Sequence, residues 1–296
     1  MRKRKGIVAA ALAMMMTVSL SFGMVSTVKA DTCGGLEPED VYEPSDEEVI
    51  KDPLLHWAIR SAMNAIKGNV TLTAEMVGDK SVKHITYEMC AHPEDFETDE
   101  WKGKQFWIES LEGLQYAKSA TQIDIAYTSA VEGKRLADLS PLSDLTQLQE
   151  LILKQNGIDD ISALKKLINL TWLDISGNKE IKDISSVQDM AALKRFIASH
   201  NSIDNADAIA NLENLEYLDL SYNQITSLPD MSKLKKVYFF DASHNQITDV
   251  SVLSGMQELR VLNLSGNTGI TDIRPLANLL KLEKGKYSAS GRVKER

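Results

Sequence analysis

From about residue 120 onward, apolar residues fall at two spacings that alternate with a fixed period. In Leu215-Glu216-Tyr217-Leu218-Asp219-Leu220, Leu218 and Leu220 alternate with polar positions, the pattern of a short strand with one buried face. A row of apolar residues three apart follows: Ile225, Leu228, Met231, Leu234 and Val237. Spacing of three predicts a 3₁₀-like return rather than a full α-helix. The same row recurs from Ile158 to Leu170 and from Ile247 to Leu259. One asparagine marks each unit: Asn156, Asn178, Asn201, Asn223, Asn245 and Asn267, with steps of 22, 23, 22, 22 and 22 residues. Such a chain stacks like units, each burying its core only against its neighbours, so both ends need covers.

The frame L-x-x-L-x-L-x-x-N-x-I/L is that of leucine-rich repeats. It predicts an α/β solenoid of 22-residue repeats over 120–282, with a parallel sheet on the concave side and 3₁₀-like segments on the convex side. Steps such as Asp160-Ile161-Ser162 and Asp249-Val250-Ser251 would start each convex return. Each asparagine would satisfy backbone groups left unpaired where the strand turns out, forming a structural ladder. Asn178 and Asn267 are followed by one extra residue before Ile181 and Ile270, which predicts small bulges. The step from Thr128 to Asn156 carries about six extra residues around Val131–Arg135. Past Leu282, Glu283 and Lys284 occupy the place of the next inner apolar residue, so the tail 283–296 either folds over the last repeat or leaves an open sheet edge.

Ahead of the repeats, residues 52–119 read as a helical cap with an insertion. Asp52-Pro53 is an N-cap followed by proline at the first helical position, and Leu54, Leu55, Ala58, Ile59, Ala62 and Ile66 share one helical face. Gly68 would stop that helix, and Thr73 would cap a second. Residues 78–105 carry His84, Cys90, His92, Glu94, Asp95 and Glu97, but no spacing that fits a zinc site, and read as a solvated acidic loop. Trp101, Phe106 and Trp107 are expected to pack under the first repeat.

Glu109-Ser110-Leu111-Glu112-Gly113-Leu114-Gln115-Tyr116-Ala117, together with Pro53-Leu54-Leu55 and Thr71-Leu72-Thr73, resembles the cap of bacterial internalin-type proteins. The resemblance runs from about Asp52 to Leu282 and departs at 78–105 and at the first repeat. It implies an exported protein that binds a host or cell-surface protein.

The N-terminus changes the picture of where the chain works. Met1–Lys5 is basic, Gly6 to about Met24 is apolar and uncharged, and Val28-Lys29-Ala30 has small residues suited to cleavage. Residues 1–30 read as a secretory signal peptide, with an uncleaved anchor as the alternative. Residues 31–51 are an acidic, flexible lead-in. Cleavage would remove five bases and no acid, moving the net charge from −9 to −14. A polyanion of this kind excludes nucleic acid as a partner. Without a further apolar run, no membrane insertion is expected after cleavage. Cys33 and Cys90 could form one disulfide or remain unrelated thiols.

The register lists the concave face as three columns. The first is Gln122, Glu150, Trp172, Arg195, Tyr217, Phe239 and Val261; the second is Asp124, Ile152, Asp174, Ile197, Asp219, Asp241 and Asn263. Serines fill most of the third, from Ser176 to Ser265. Trp172, Tyr217 and Phe239 are the expected contacts for a protein partner, with Arg195, Asp174, Asp219 and Asp241 beside them, although the Asp and Ser columns also suit a scaffold role in this repeat type. Asp219 and Asp241 lie side by side and would repel, which a basic partner would relieve. His200 and His244 share a fourth column, two strands apart and too far for one metal. The chain shows no catalytic motif and no cofactor or metal site. The leading expectation is an exported binding protein. Alternatives are an extracellular scaffold subunit docking through its C-terminal edge, or a glycan-binding module.

Overall fold

The computed structural model describes residues 48–63, 72–80, 82–86, 108–126, 135–283 and 287–289. All belong to the larger of two units, Leu36–Arg296. The leader, Cys33, Cys90, Ile66, Gly68, the aromatic residues Trp101, Phe106 and Trp107, and the extra residues 131–134 lie outside them.

Packing includes residues that the sequence assigns to the lead-in. Glu48 and Ile50, placed in the flexible lead-in, are buried, and Val49 N–H donates to the Leu72 carbonyl at 3.0 Å. His56 Nε2 lies 2.6 Å from Glu48 Oε2, fastening this segment to the first helix, α1 (Pro53–Ala62). Asp52 caps α1 with Oδ1, accepting from Leu54 N at 3.0 Å and Leu55 N at 3.1 Å. Its Oδ2 accepts from Glu109 N at 2.7 Å and Ser110 N at 3.3 Å, so one carboxylate joins the cap to the segment that enters the repeats. Thr73 caps α2 (Ala74–Val77) as expected, although Val77 rather than Met76 is its buried residue.

The cap is not purely helical. Within the expected insertion, His84–Thr86 forms β1, which buries Ile85 and pairs in parallel with β2 (Gln122–Asp124). The sheet therefore starts one strand before the first repeat. It continues in chain order through β3 (Glu150–Ile152), β4 (Trp172–Asp174), β5 (Arg195–Ile197), β6 (Tyr217–Asp219), β7 (Phe239–Asp241) and β8 (Val261–Leu264). The inner residues of these strands, from Ile85 to Leu262 and including Phe196 and Phe240, form one continuous apolar core with the convex rows.

Among the described residues, seven 3₁₀ segments line the convex side, from Leu114–Tyr116 to Arg274–Asn278. The expected Asp-x-Ser starts are present: Asp160 Oδ1 accepts from Ser162 N at 2.7 Å, and Asp249 Oδ1 from Ser251 N at 2.8 Å. Asn205 does the same for Asp207 at 2.6 Å, so the position needs an acceptor rather than a charge.

The asparagines form the ladder, and each reaches backward. Asn223 Nδ2 donates to Leu220 O in its own repeat at 3.0 Å and to Ala198 O in the preceding one at 2.9 Å; its Oδ1 accepts from Ile203 N at 3.0 Å. Asn178, Asn245 and Asn267 repeat this, while Asn156 Nδ2 donates back to Ile125 O. Asn201 keeps the two donor bonds, but its Oδ1 is buried and accepts from none of the described residues. The preceding loop is one of the two with an extra residue, and in it Lys179 takes φ +63°. The bulge costs the ladder one bond.

The residue before each asparagine is left-handed: Gln155, Gly177, His200, Tyr222, His244 and Gly266, with φ between +53° and +81°. Side-chain-bearing residues pay roughly 1 kcal/mol or more for this region. From Gln155 to His244 the conformation aims the N–H at the next repeat, as for Tyr222 N on Ser243 O at 2.8 Å.

At the C-terminus the tail folds onto the sheet. β9 (Tyr287–Ala289) pairs in parallel with β8, with Tyr287 opposite Leu262. A 22-residue step from Leu262 would place Lys284 there. The chain slips three residues further, which takes a lysine out of an inner register position.

Candidate functional site

The first concave column closes into a continuous stack. The Arg195 guanidinium carbon lies 4.6 Å from the Trp172 ring centre and 4.5 Å from that of Tyr217. Tyr217 and Phe239 stack at 4.1 Å with 3° between their planes. The parallel register brings one residue from each of four consecutive strands into line. All four side chains are half-buried. Arg195 Nε and Trp172 Nε1 are buried with no hydrogen-bond partner among the described residues, so the rings themselves hold the guanidinium. Flat groups pinned in this way lose little freedom on contact with a partner. Burial, then Asp219, raises the Tyr217 phenol, keeping it a neutral hydrogen-bonding group.

The second column is partly scaffold. Asp174, a candidate contact in a column that also suits a scaffold role, is only 7% exposed. Its Oδ1 accepts from Ser176 N at 2.9 Å and Ser176 Oγ at 2.6 Å. Asp219 does the same with Ser221 at 2.9 and 2.7 Å, and Asp241 Oδ1 accepts from Ser243 N at 2.9 Å. The carboxylate thus ends each strand and fixes the serine of the third column. Burial raises the carboxyls of Asp174 and Asp219; Asp219 reaches about 6, with Asp241 and Asp174 adding to the rise against the Ser221 bonds.

The fourth column also comes together, and sequence reasoning missed its centre. Tyr222 lies between the two histidines, 4.2 Å from His200 and 4.1 Å from His244, with planes within 12°. All three side chains are exposed along the rim. Each is a left-handed residue before an asparagine; the glycines at Gly177 and Gly266 were the available sign of that backbone. A Cβ at Gly266 would lie 2.8 Å from His244 Nδ1, so the glycine makes room for the last ring. Burial, then His244, lowers the His200 imidazole.

On the convex side a shallow hollow of about 260 Å³ is lined by Asp160, Ser162, Lys165, Asp183, Ser185, Ser186 and Gln188. Asp160 and Asp183 already accept local N–H donors at 2.7 Å. Among the described residues, no group of three or more His, Cys, Asp or Glu is placed to hold a metal ion, and no helix is long and apolar enough to cross a membrane.

A family profile described as Leucine Rich repeats (2 copies) matches residues 146–189, 191–236 and 232–278. No curated protein sequence matches the chain. Among solved structures, an internalin C2 from Listeria monocytogenes is similar with TM-score 0.65 and 25% identity, over 81% of this chain and 97% of its own. An internalin (inlF) from the same organism gives 0.61 and 25%, over 84% and 72%. A leucine-rich-repeat protein of Leptospira interrogans gives 0.59 and 23%, over 74% and 57%, a likeness of fold alone.

Proposed function

We propose, from the premise that this chain is a leucine-rich-repeat protein of the bacterial internalin type, that its concave face binds a protein partner outside the cell. The observation that carries this is the Trp172–Arg195–Tyr217–Phe239 stack, a half-exposed row of aromatic and arginine side chains at the middle of the sheet. Tryptophan, tyrosine and arginine concentrate binding energy at protein interfaces, and a preformed stack lowers the ordering cost. Export rests on the basic, apolar and small-residue segments of the first 30 residues. A host or neighbouring-cell surface supplies the partner, and the protein acts by binding rather than catalysis.

The test places a photo-reactive benzophenone side chain at Val261, beside Phe239 in the first column, and in a second protein at convex Lys165. Each is exposed to intact cells, and cross-linked proteins are identified by mass spectrometry. The same protein should be captured from Val261 and not from Lys165. Trp172→Ala or Phe239→Ala should each weaken that capture about 30-fold, the size of a 2 kcal/mol hot spot. Capture that survives both changes but needs residues 283–296 would move the interface to the C-terminal edge.

A further inference from the structure

We propose that the strip between the two ring stacks is a trough that receives a lysine or arginine side chain of the protein partner. The proposal rests on the concave-face reading and adds the chemistry of what that face recognises. On one side stand Tyr217 and Phe239; on the other stand His200, Tyr222 and His244. Asp219 and Asp241 lie between them, on neighbouring strands at matched register.

Three observations point to a cation. First, the structural duty of these carboxylates needs no charge. Asn263 holds the same column position, and its Oδ1 accepts from Ser265 N at 3.1 Å and Ser265 Oγ at 2.8 Å. The negative charge at 219 and 241 is surplus to the turn. Second, that charge meets only neutral donors among the described residues: Asp241 Oδ2 accepts from the Asn263 amide at 2.9 Å. Asp219 Oδ1 is taken by Ser221, while none of the described residues donates to Oδ2. The groups acting on Asp219 are its own Ser221 and the acids Asp241 and Asp174. Arg195, the nearby base on this face, is held between Trp172 and Tyr217. Third, the walls suit a long basic side chain. Stacking turns ring faces toward one another and leaves their edges outward. They would therefore line the methylene stem, while the charged head meets the carboxylates.

The probe is a fluorescein-labelled hexalysine peptide, with hexaglutamate as control, followed by anisotropy at about 0.15 M salt to screen diffuse attraction. Saturable binding of hexalysine alone is expected. Asp219→Asn with Asp241→Asn should weaken it about tenfold or more. Asp230→Asn with Asp249→Asn, on the convex side, should leave it unchanged. Acidification through pH 6 should also weaken it as Asp219 takes up a proton. Equal loss from both pairs of substitutions, or no saturable binding, overturns the trough. The benzophenone capture at Val261 separates the two claims: if it persists in the Asp219→Asn/Asp241→Asn protein, the face binds its partner without the trough. If no partner is captured in the parent protein either, the wider reading falls with it.

Discussion

Replacing Asp219 by asparagine should stabilise the protein. The acceptor role survives, because Asn263 shows the amide making the same two bonds to its serine. What disappears is a charge that burial and two neighbouring acids disfavour, lifting the carboxyl from 3.8 to about 6. A displacement of that size corresponds to about 3 kcal/mol against the folded, ionised state. Asp219 is only partly buried, and solvent screening reduces it, so about 1–2 kcal/mol is the expected gain at pH 7.5. The sign follows from proton uptake. Between pH 4 and 6 the folded state holds a proton on Asp219 that the unfolded chain has released, so parent stability falls as pH rises through that window. The amide of the Asp219→Asn variant would not titrate. Urea midpoints of parent and variant should therefore differ most at pH 7.5 and converge toward pH 4. A variant less stable than the parent at pH 7.5, or a difference that stays constant down to pH 4.5, would refute the account of a surplus, strained charge.

Two further outcomes test the scaffold. Asn223→Ala removes the Nδ2 bonds to Ala198, Leu220 and Ser221 carbonyls and one acceptor bond from a buried turn and should cost about 3 kcal/mol in urea unfolding; Asn201→Ala should cost about 1 kcal/mol less, since its oxygen accepts from none of the described residues. Asp52→Asn keeps the helix cap but turns an amide N–H₂ toward Glu109 and Ser110 N–H, so about 2 kcal/mol should be lost, with amide exchange rising first in α1.

The repeats were legible because their physics is local and periodic. A strand of three residues and a return with spacing of three leave a pattern that registers every inner leucine and every asparagine. The same register lined up Trp172, Arg195, Tyr217 and Phe239, though not the sandwiching of the guanidinium, which depends on side-chain torsions. It could not show that Asp174 is buried, because burial of a column position depends on how neighbouring side chains lean. Tyr222 was missed for a different reason: strand alternation ends at Ser221, and the next residue points by virtue of a left-handed backbone. β1 lay hidden because His84-Ile85-Thr86 is too short to show a period. The end of the sheet turned on a three-residue slip, which depends on tertiary pairing rather than on any local signal.

The joint between the repeats of β4 and β5 is bonded differently: Lys179 N–H donates to His200 O at 3.2 Å and Ser202 Oγ to Lys179 O at 2.6 Å. It carries the bulged loop at Lys179 and the asparagine whose oxygen lacks a ladder donor. Other joints from Asn223 onward are closed by that bond. On the concave face of the same joint, Arg195 is wedged between Trp172 and Tyr217. The guanidinium fills the two-strand interval between the rings, so the row runs unbroken from β4 to β7. The guanidinium works as a shim between two aromatic plates, and a shorter side chain at 195 would leave a gap in the row.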